Sequence, residues 1–64
     1  MELEIAVRRV REEFLEMPGL RLTLAQATRL WGLEREMAHA VIDRLVACAF
    51  LRWTASGSII RAGS

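Results

Sequence analysis

The sequence predicts a mainly α-helical domain with a small β-sheet, in which three helices precede a C-terminal β-hairpin. Three observations predict this class. First, apolar residues recur at helical spacing in two long stretches. Second, the shorter stretch between them begins with a helix-start signal and ends with a glycine. Third, the spacing of apolar residues becomes typical of strands after Cys48. The 64 residues give room for one domain, residues 1–64, of which we expect residues 62–64 to fray.

The first helix is predicted over residues 2–17. Its apolar positions recur every three or four residues and share one face: Leu3, Ala6, Val7, Val10, Phe14 and Met17. Glutamates and arginines spaced four apart occupy the other face, where they form favourable pairs. Pro18 and Gly19 end the helix, because proline disfavours helical geometry at the residue before it.

The second helix is predicted over residues 23–31, after a very short strand signal at residues 20–22. Thr23 followed three residues later by Gln26 forms a capping box, which marks a helix start. Gly32 ends the helix, because glycine adopts the left-handed geometry of a helix terminus without strain.

The third helix is predicted over residues 33–48. At roughly 100° per residue, one side is apolar and comprises Met37, Val41, Ile42, Leu45 and Cys48. The opposite side carries only two alanines and three polar groups: Glu36, His39, Ala40, Asp43 and Ala47. This side has less charge than a solvated helix face usually has, so it is a candidate contact surface.

The hairpin is predicted from two stretches rich in aromatic and branched residues, Phe50–Thr54 and Ser58–Arg61, with a turn at Ala55–Ser58. Trp53 would pair across it with Ile59 or Ile60, and the pattern leaves the burial of Trp53 open. We expect a common core that contains Phe14, Leu24, Trp31, Val41 and Leu45. We also expect Cys48 to be buried as a small apolar residue.

The order of elements, with "GLRLTLAQATRLWGL" leading into "VIDRLVACAFL", resembles a winged helix-turn-helix domain of the small bacterial transcription-regulator type. The resemblance covers nearly the whole chain. It implies a third helix in the DNA major groove, a wing hairpin and second-helix start at the backbone or minor groove, and a strand near Leu22 that joins the hairpin in one sheet. The chain departs from the family at Ala49, where a glycine is common, and at the wing turn, which has no basic residue at its tip.

The resemblance implies a set of DNA-binding residues. Arg35, Glu36 and His39 begin the third helix, where arginine can bind guanine and glutamate can accept from cytosine. Phosphate contacts are expected from Arg21, Thr23, Gln26, Arg29, Arg52 and Arg61. The alternative is that the third helix simply begins with a solvated turn. Its carboxylates would then be stabilised by the helix dipole, and they would repel phosphates.

The sequence gives little support for a metal site, a catalytic site, a cofactor site or a membrane span. The single histidine and single cysteine lie on different faces of one helix, so we expect no metal site, and no disulfide can form within the chain. No nucleophile–base arrangement or phosphate-binding glycine loop is present, so we expect neither an enzyme nor a cofactor. No apolar run approaches the ~20 residues of a membrane span, and the charged start excludes a signal peptide, so we expect a cytoplasmic protein.

Two functional hypotheses remain. The first is a DNA-binding transcriptional regulator that acts on double-stranded DNA as a homodimer. It is favoured because all basic residues of the chain are arginines, which suit forked contacts with phosphate. The second is a winged helix that binds another protein or itself without binding DNA, which the net charge of +1 and the hydrophobic content of 53% favour. In both, the expected self-association surface is on the first helix, through Leu3, Ile5 and Val7, because Ile5 falls off the main apolar stripe.

Overall fold

The computed structural model describes residues 2–63. It contains three helices, α1 (Leu3–Glu16), α2 (Leu24–Trp31) and α3 (Arg35–Ala47), and three strands, β1 (Leu22–Thr23), β2 (Leu51–Trp53) and β3 (Ser58–Arg61). The predicted mainly helical fold with a small sheet is therefore confirmed. Each predicted helix extends one or two residues too far at one or both ends, as is usual for helix boundaries.

The sheet places β3 in the centre, with β1 and β2 antiparallel on its two sides. Ile59 of β3 faces Leu22 of β1 and Trp53 of β2, so three side chains from three strands form one row across the sheet. The hairpin turn is closed by the Thr54 amide, which donates to the Ser58 carbonyl at 2.7 Å. The predicted hairpin is thus confirmed, and the short strand before α2 joins it.

The predicted start and end signals of α2 are both present. The Gln26 amide donates to Thr23 Oγ1 at 3.2 Å, and the Thr23 amide donates to Gln26 Oε1 at 3.0 Å, which completes the capping box. Gly32 ends the helix at φ 66°, and its amide donates to the Thr28 carbonyl. These local hydrogen bonds fix the direction in which α3 leaves α2.

The core lies between the three helices and the inner face of the sheet. Its buried apolar side chains are Ala6, Val10, Phe14, Leu22, Ala27, Trp31, Ala38, Val41, Ile42, Leu45, Leu51 and Ile59. Four of the five predicted core residues are among them, and Leu24 is half-buried against the cluster. Of the residues expected to fray, Ala62 donates to the Phe50 carbonyl at 2.9 Å, and Ser64 lies outside the described residues.

Two residues at helix ends were predicted wrongly. Met17 is 50% exposed, because α1 ends at Glu16 and Met17 leaves the helical geometry that would have turned its side chain inward. Cys48 is exposed, because α3 ends at Ala47 and the chain changes direction at Cys48. Helical spacing places a side chain correctly only while the helix continues.

The end of α3 is a Schellman motif. The Phe50 amide donates to the Leu45 carbonyl and the Ala49 amide donates to the Val46 carbonyl, each at 2.9 Å. Ala49 has φ 60°, the left-handed conformation in which glycine is usual. The alanine that departs from the expected glycine therefore carries backbone strain, since its Cβ is crowded in this conformation.

This strain makes Ala49→Gly a stabilising change. We expect it to raise the free energy of unfolding by about 0.5–1 kcal/mol, because glycine relieves the left-handed strain while it adds some unfolded-state entropy. The exposed Ala49 side chain leaves no cavity behind. Urea denaturation of parent and variant measures the difference. Ala40→Gly, in the helical interior of α3, is the matched control and should lower stability by about 1 kcal/mol. If Ala49→Gly is no more stable than the parent, the left-handed backbone of Ala49 does not lower the free energy of unfolding.

Candidate nucleic-acid interface

The exposed surface of α3 starts at its first turn. Arg35 and Glu36 are exposed there, and the His39 side chain is 53% exposed one turn later. The opposite side of α3 is buried through Ala38, Val41, Ile42 and Leu45. The three residues that sequence analysis assigned to base contacts therefore share an open surface.

His39 has partners on two elements. Its Nδ1 lies 3.0 Å from Asp43 Oδ2, one helical turn away, and its ring centroid lies 6.3 Å from that of Trp53 on β2. The negative charge of Asp43 at this distance favours the tautomer with its proton on Nδ1, which leaves Nε2 of a neutral ring as an acceptor. The structure thus aligns the α3 surface with the hairpin through a His39–Trp53 contact, with Trp53 itself 36% exposed.

The start of α2 lies beside the start of α3. Arg35 borders a shallow depression together with Leu24, Ala25, Thr28 and Leu33. Thr23 and Gln26, the two predicted phosphate ligands here, use their side-chain oxygens on each other's amides. Their role in this structure is to hold the first turn of α2 in place, and Arg35 is the cationic residue that borders the depression beside that turn.

The remaining predicted phosphate ligands lie elsewhere. Arg21 and Arg61 border a second depression at the base of the hairpin, with Pro18, Gly19, Leu20 and Ile60. Arg52 is exposed on β2, across from Ile60. Arg29 is exposed beside Leu22, Gln26 and Leu30. The nine predicted site residues therefore lie on several elements: α3 (Arg35, Glu36 and His39), α2 and its start (Thr23, Gln26 and Arg29), β2 (Arg52) and the base of the hairpin (Arg21 and Arg61).

The charge of the α3 surface is nearly balanced. Exposed Glu36 and Asp43 oppose Arg35, and Glu34 precedes the helix. Arg44, the other arginine of α3, lies with its Nη2 3.6 Å from Glu4 Oε2 on α1. Apart from Glu4, these residues have two positive and three negative charges, so the α3 surface gives no net electrostatic attraction for phosphate, whereas the hairpin base is richer in arginine.

Sequence analysis missed the contacts between elements. The four-residue spacing of His39 and Asp43 is visible in the sequence and could have predicted their pairing. The approach of Trp53 to His39 depends on where the hairpin packs against α3, and nothing local encodes it. Across residues 2–63, no group of three or more His, Cys, Asp or Glu residues is arranged to hold a metal ion.

No helix in the described part of the chain is long and apolar enough to cross a membrane. Comparisons with known proteins give no relative: no family model, no curated protein and no solved structure matches this chain. The interpretation of the α3 surface therefore depends on the geometry and chemistry of its own residues.

Proposed function

We propose that this protein is a small winged-helix transcriptional regulator that binds double-stranded DNA through the exposed start of α3. The observation that carries the proposal is the α2–α3 unit. A capping box starts α2, left-handed Gly32 turns the chain, and α3 then presents Arg35 and His39 on an open face next to the hairpin. An α-helix with a free face of this kind fits the major groove, and a hairpin beside it can reach the backbone.

Each residue of the proposed surface has a distinct role. Arg35 donates its two parallel N–H groups to a guanine. Because Asp43 holds His39 Nδ1, a neutral His39 accepts through Nε2, which suits the amino group of adenine or cytosine. Arg52 contacts a phosphate from the hairpin.

The proposal includes weak affinity and a homodimer. Glu36 and Asp43 repel phosphates, so one copy supplies few net favourable charges, and two copies on adjacent half-sites would double them. A single free thiol, exposed at Cys48, suits a reducing compartment, and we place the protein in the cytoplasm. We propose no catalytic role and no cofactor.

The test is a titration of the folded wild-type protein against random-sequence duplex DNA at two salt concentrations. If one copy neutralises three phosphates, affinity should fall roughly 40-fold between 50 and 200 mM salt, because each phosphate contact releases about one counterion. Arg9→Ala, which removes an exposed arginine from α1, is the control and should leave the affinity unchanged. Absence of binding at the lower salt concentration, with circular dichroism showing a folded sample, ends the DNA proposal.

A second candidate function is a protein-binding or dimerisation module without DNA binding. It is favoured by the exposed apolar side chains, since Ile5 and Leu30 are each 54% exposed. Ile5 lies off the α1 face whose Ala6, Val10 and Phe14 enter the core. A second copy or another protein that covers such residues removes apolar surface from water.

Self-association through α1 is a prediction that both functions share. Sedimentation velocity should show a concentration-dependent rise in the sedimentation coefficient at micromolar protein. Ile5→Ser should shift the equilibrium toward the monomer, because it removes an apolar contact from the proposed interface. Leu15→Ser changes a residue of the same helix that is 45% exposed and should leave the equilibrium in place. A monomer at high micromolar concentration contradicts the prediction.

A further inference from the structure

We propose that His39 and Asp43 together determine which base the α3 surface prefers at one position, and that protonation of His39 changes that preference. A neutral His39 selects adenine or cytosine, and a protonated His39 selects guanine or thymine. Asp43 is the positioning residue, because it contacts the histidine and not the DNA. The inference rests on the proposed DNA-binding function and adds a regulation of the same site.

The Asp43 carboxylate fixes one side of the His39 ring. Its Oδ2 lies 3.0 Å from His39 Nδ1, one helical turn away on α3. The hydrogen bond at one ring nitrogen determines the form that the other nitrogen takes. With the proton held on Nδ1, Nε2 of the neutral ring keeps its lone pair and accepts hydrogen bonds.

Trp53 lies beside the same ring from the hairpin. The two ring centroids are 6.3 Å apart, within the usual range for paired aromatic rings, and the ring planes are tilted by 34°. Among residues 2–63, Asp43 is the one residue with a hydrogen bond or ion pair to the His39 ring. The His39 side chain is 53% exposed, so Nε2 is left for a ligand.

Protonation changes the hydrogen bonding of the ring at Nε2 alone. Nδ1 already holds a proton beside Asp43, so the added proton goes to Nε2 and turns an acceptor into a donor. In the major groove, adenine and cytosine present amino donors, whereas guanine and thymine present carbonyl acceptors. The same side chain in the same place therefore prefers an amino group when neutral and a carbonyl group when protonated.

The charged groups near His39 are balanced. On α3, Arg35 and Glu36 lie one turn earlier and Asp43 lies one turn later, and on β2 Arg52 precedes Trp53. These are two arginines and two carboxylates. His39 is the only histidine of the chain, and histidine is the side chain that ordinarily changes charge between about pH 5 and 8. The proton gained at His39 is therefore the change that the DNA meets in this range.

The first measurement is the tautomer of His39, and it needs no DNA. A ¹⁵N–¹H correlation spectrum of the labelled full chain at about pH 8 distinguishes the protonated from the unprotonated ring nitrogen, and one histidine makes the assignment unambiguous. We expect the proton on Nδ1 in the wild type and a loss of this preference in Asp43→Ala. Glu34→Ala removes an exposed carboxylate beside the start of α3 and, as the matched control, should keep the proton on Nδ1. A wild-type proton on Nε2 overturns the inference.

The second measurement is the base preference at two pH values. Bound duplexes are selected from a random-sequence library at about pH 8 and about pH 5.5, on the two sides of the usual titration of histidine. We expect one position to change from adenine or cytosine to guanine or thymine, with a preference of roughly three- to tenfold, the discrimination that one hydrogen bond provides. Asp43→Ala should weaken the preference at the higher pH only, because a protonated ring donates through Nε2 with or without Asp43. His39→Gln does not titrate and should show the same preference at both pH values.

The outcomes separate this inference from the function on which it rests. Absence of binding at both pH values, in a sample that circular dichroism shows to be folded, ends the DNA proposal and the inference with it. Binding with the same base preference at both pH values overturns the inference alone. A rise in affinity for every duplex alike at the lower pH, with no change in preference, also overturns it, because His39 would then contact a phosphate and not a base.

Discussion

Replacing Leu45 by alanine is expected to lower the free energy of unfolding by about 2–5 kcal/mol, the range measured for truncating buried leucines. Leu45 is 2% exposed and belongs to the core cluster that joins α1, α3 and the sheet. Its carbonyl also accepts the Phe50 amide at the point where α3 ends and the hairpin begins. The cavity would therefore form where helices and sheet meet, with little freedom to collapse.

The effect should be large relative to the total, because small domains are marginally stable. We expect Leu45→Ala to be largely unfolded at 37 °C, as circular dichroism and urea denaturation would measure. Leu15→Ala is the matched control: it deletes the same atoms from a leucine that is 45% exposed on α1, and it should change stability by at most about 1 kcal/mol. A Leu45→Ala variant that melts with the parent would remove Leu45 from the core.

The sequence predicts features that depend on neighbours along the chain. The capping box needs only Thr23 and Gln26, and the end of α2 needs only a residue that adopts φ 66°, which Gly32 supplies. The apolar spacing of α1 predicts Ala6, Val10 and Phe14 on its buried face for the same reason. Local hydrogen bonding and helical period are enough to determine each of these features.

Two kinds of feature were not predictable: the exact residue at which a helix ends, and contacts that depend on docking between elements. The direction of Met17 and Cys48 changed because each lies one residue beyond a helix end. The left-handed Ala49 follows from the turn between α3 and β2, and its identity alone argues against that conformation. The convergence of Arg11 and Arg61 on Phe50 joins residues that are distant in sequence, through long side chains whose direction no periodicity sets.

The candidate site shows the same division. Arg35, Glu36 and His39 lie within two turns of one helix, so their proximity follows from the sequence, and all three are exposed in the structure. It could not separate the arginines near α3 from those at the hairpin base, since that separation arises from strand register. The β2–β3 and β1–β3 pairings carry Arg21 and Arg61 to the base of the hairpin, away from the turn at its tip.

Replacing Arg35 by alanine is expected to cost roughly 1–3 kcal/mol of binding free energy at one base pair, and to relax sequence preference there, if the DNA proposal is correct. The reason is geometric. Arg35 is exposed at the first turn of α3, beside the start of α2, which is where a helix in the major groove meets base edges. A bidentate contact distinguishes guanine from other bases, so its loss affects one position and not the whole sequence.

Arg52→Ala provides the contrast, because Arg52 is exposed on the hairpin and is proposed to contact only phosphate. It should weaken binding to all duplexes alike and reduce the slope of log affinity against log salt by about one. The measurement is a titration of both variants and the wild type at two salt concentrations, against duplexes that differ at single base pairs. If Arg35→Ala weakens binding to every duplex equally, Arg35 contacts the DNA backbone and not a base. The near-neutral α3 surface, with its Glu36 and Asp43 carboxylates, would then have no arginine that reads the DNA sequence.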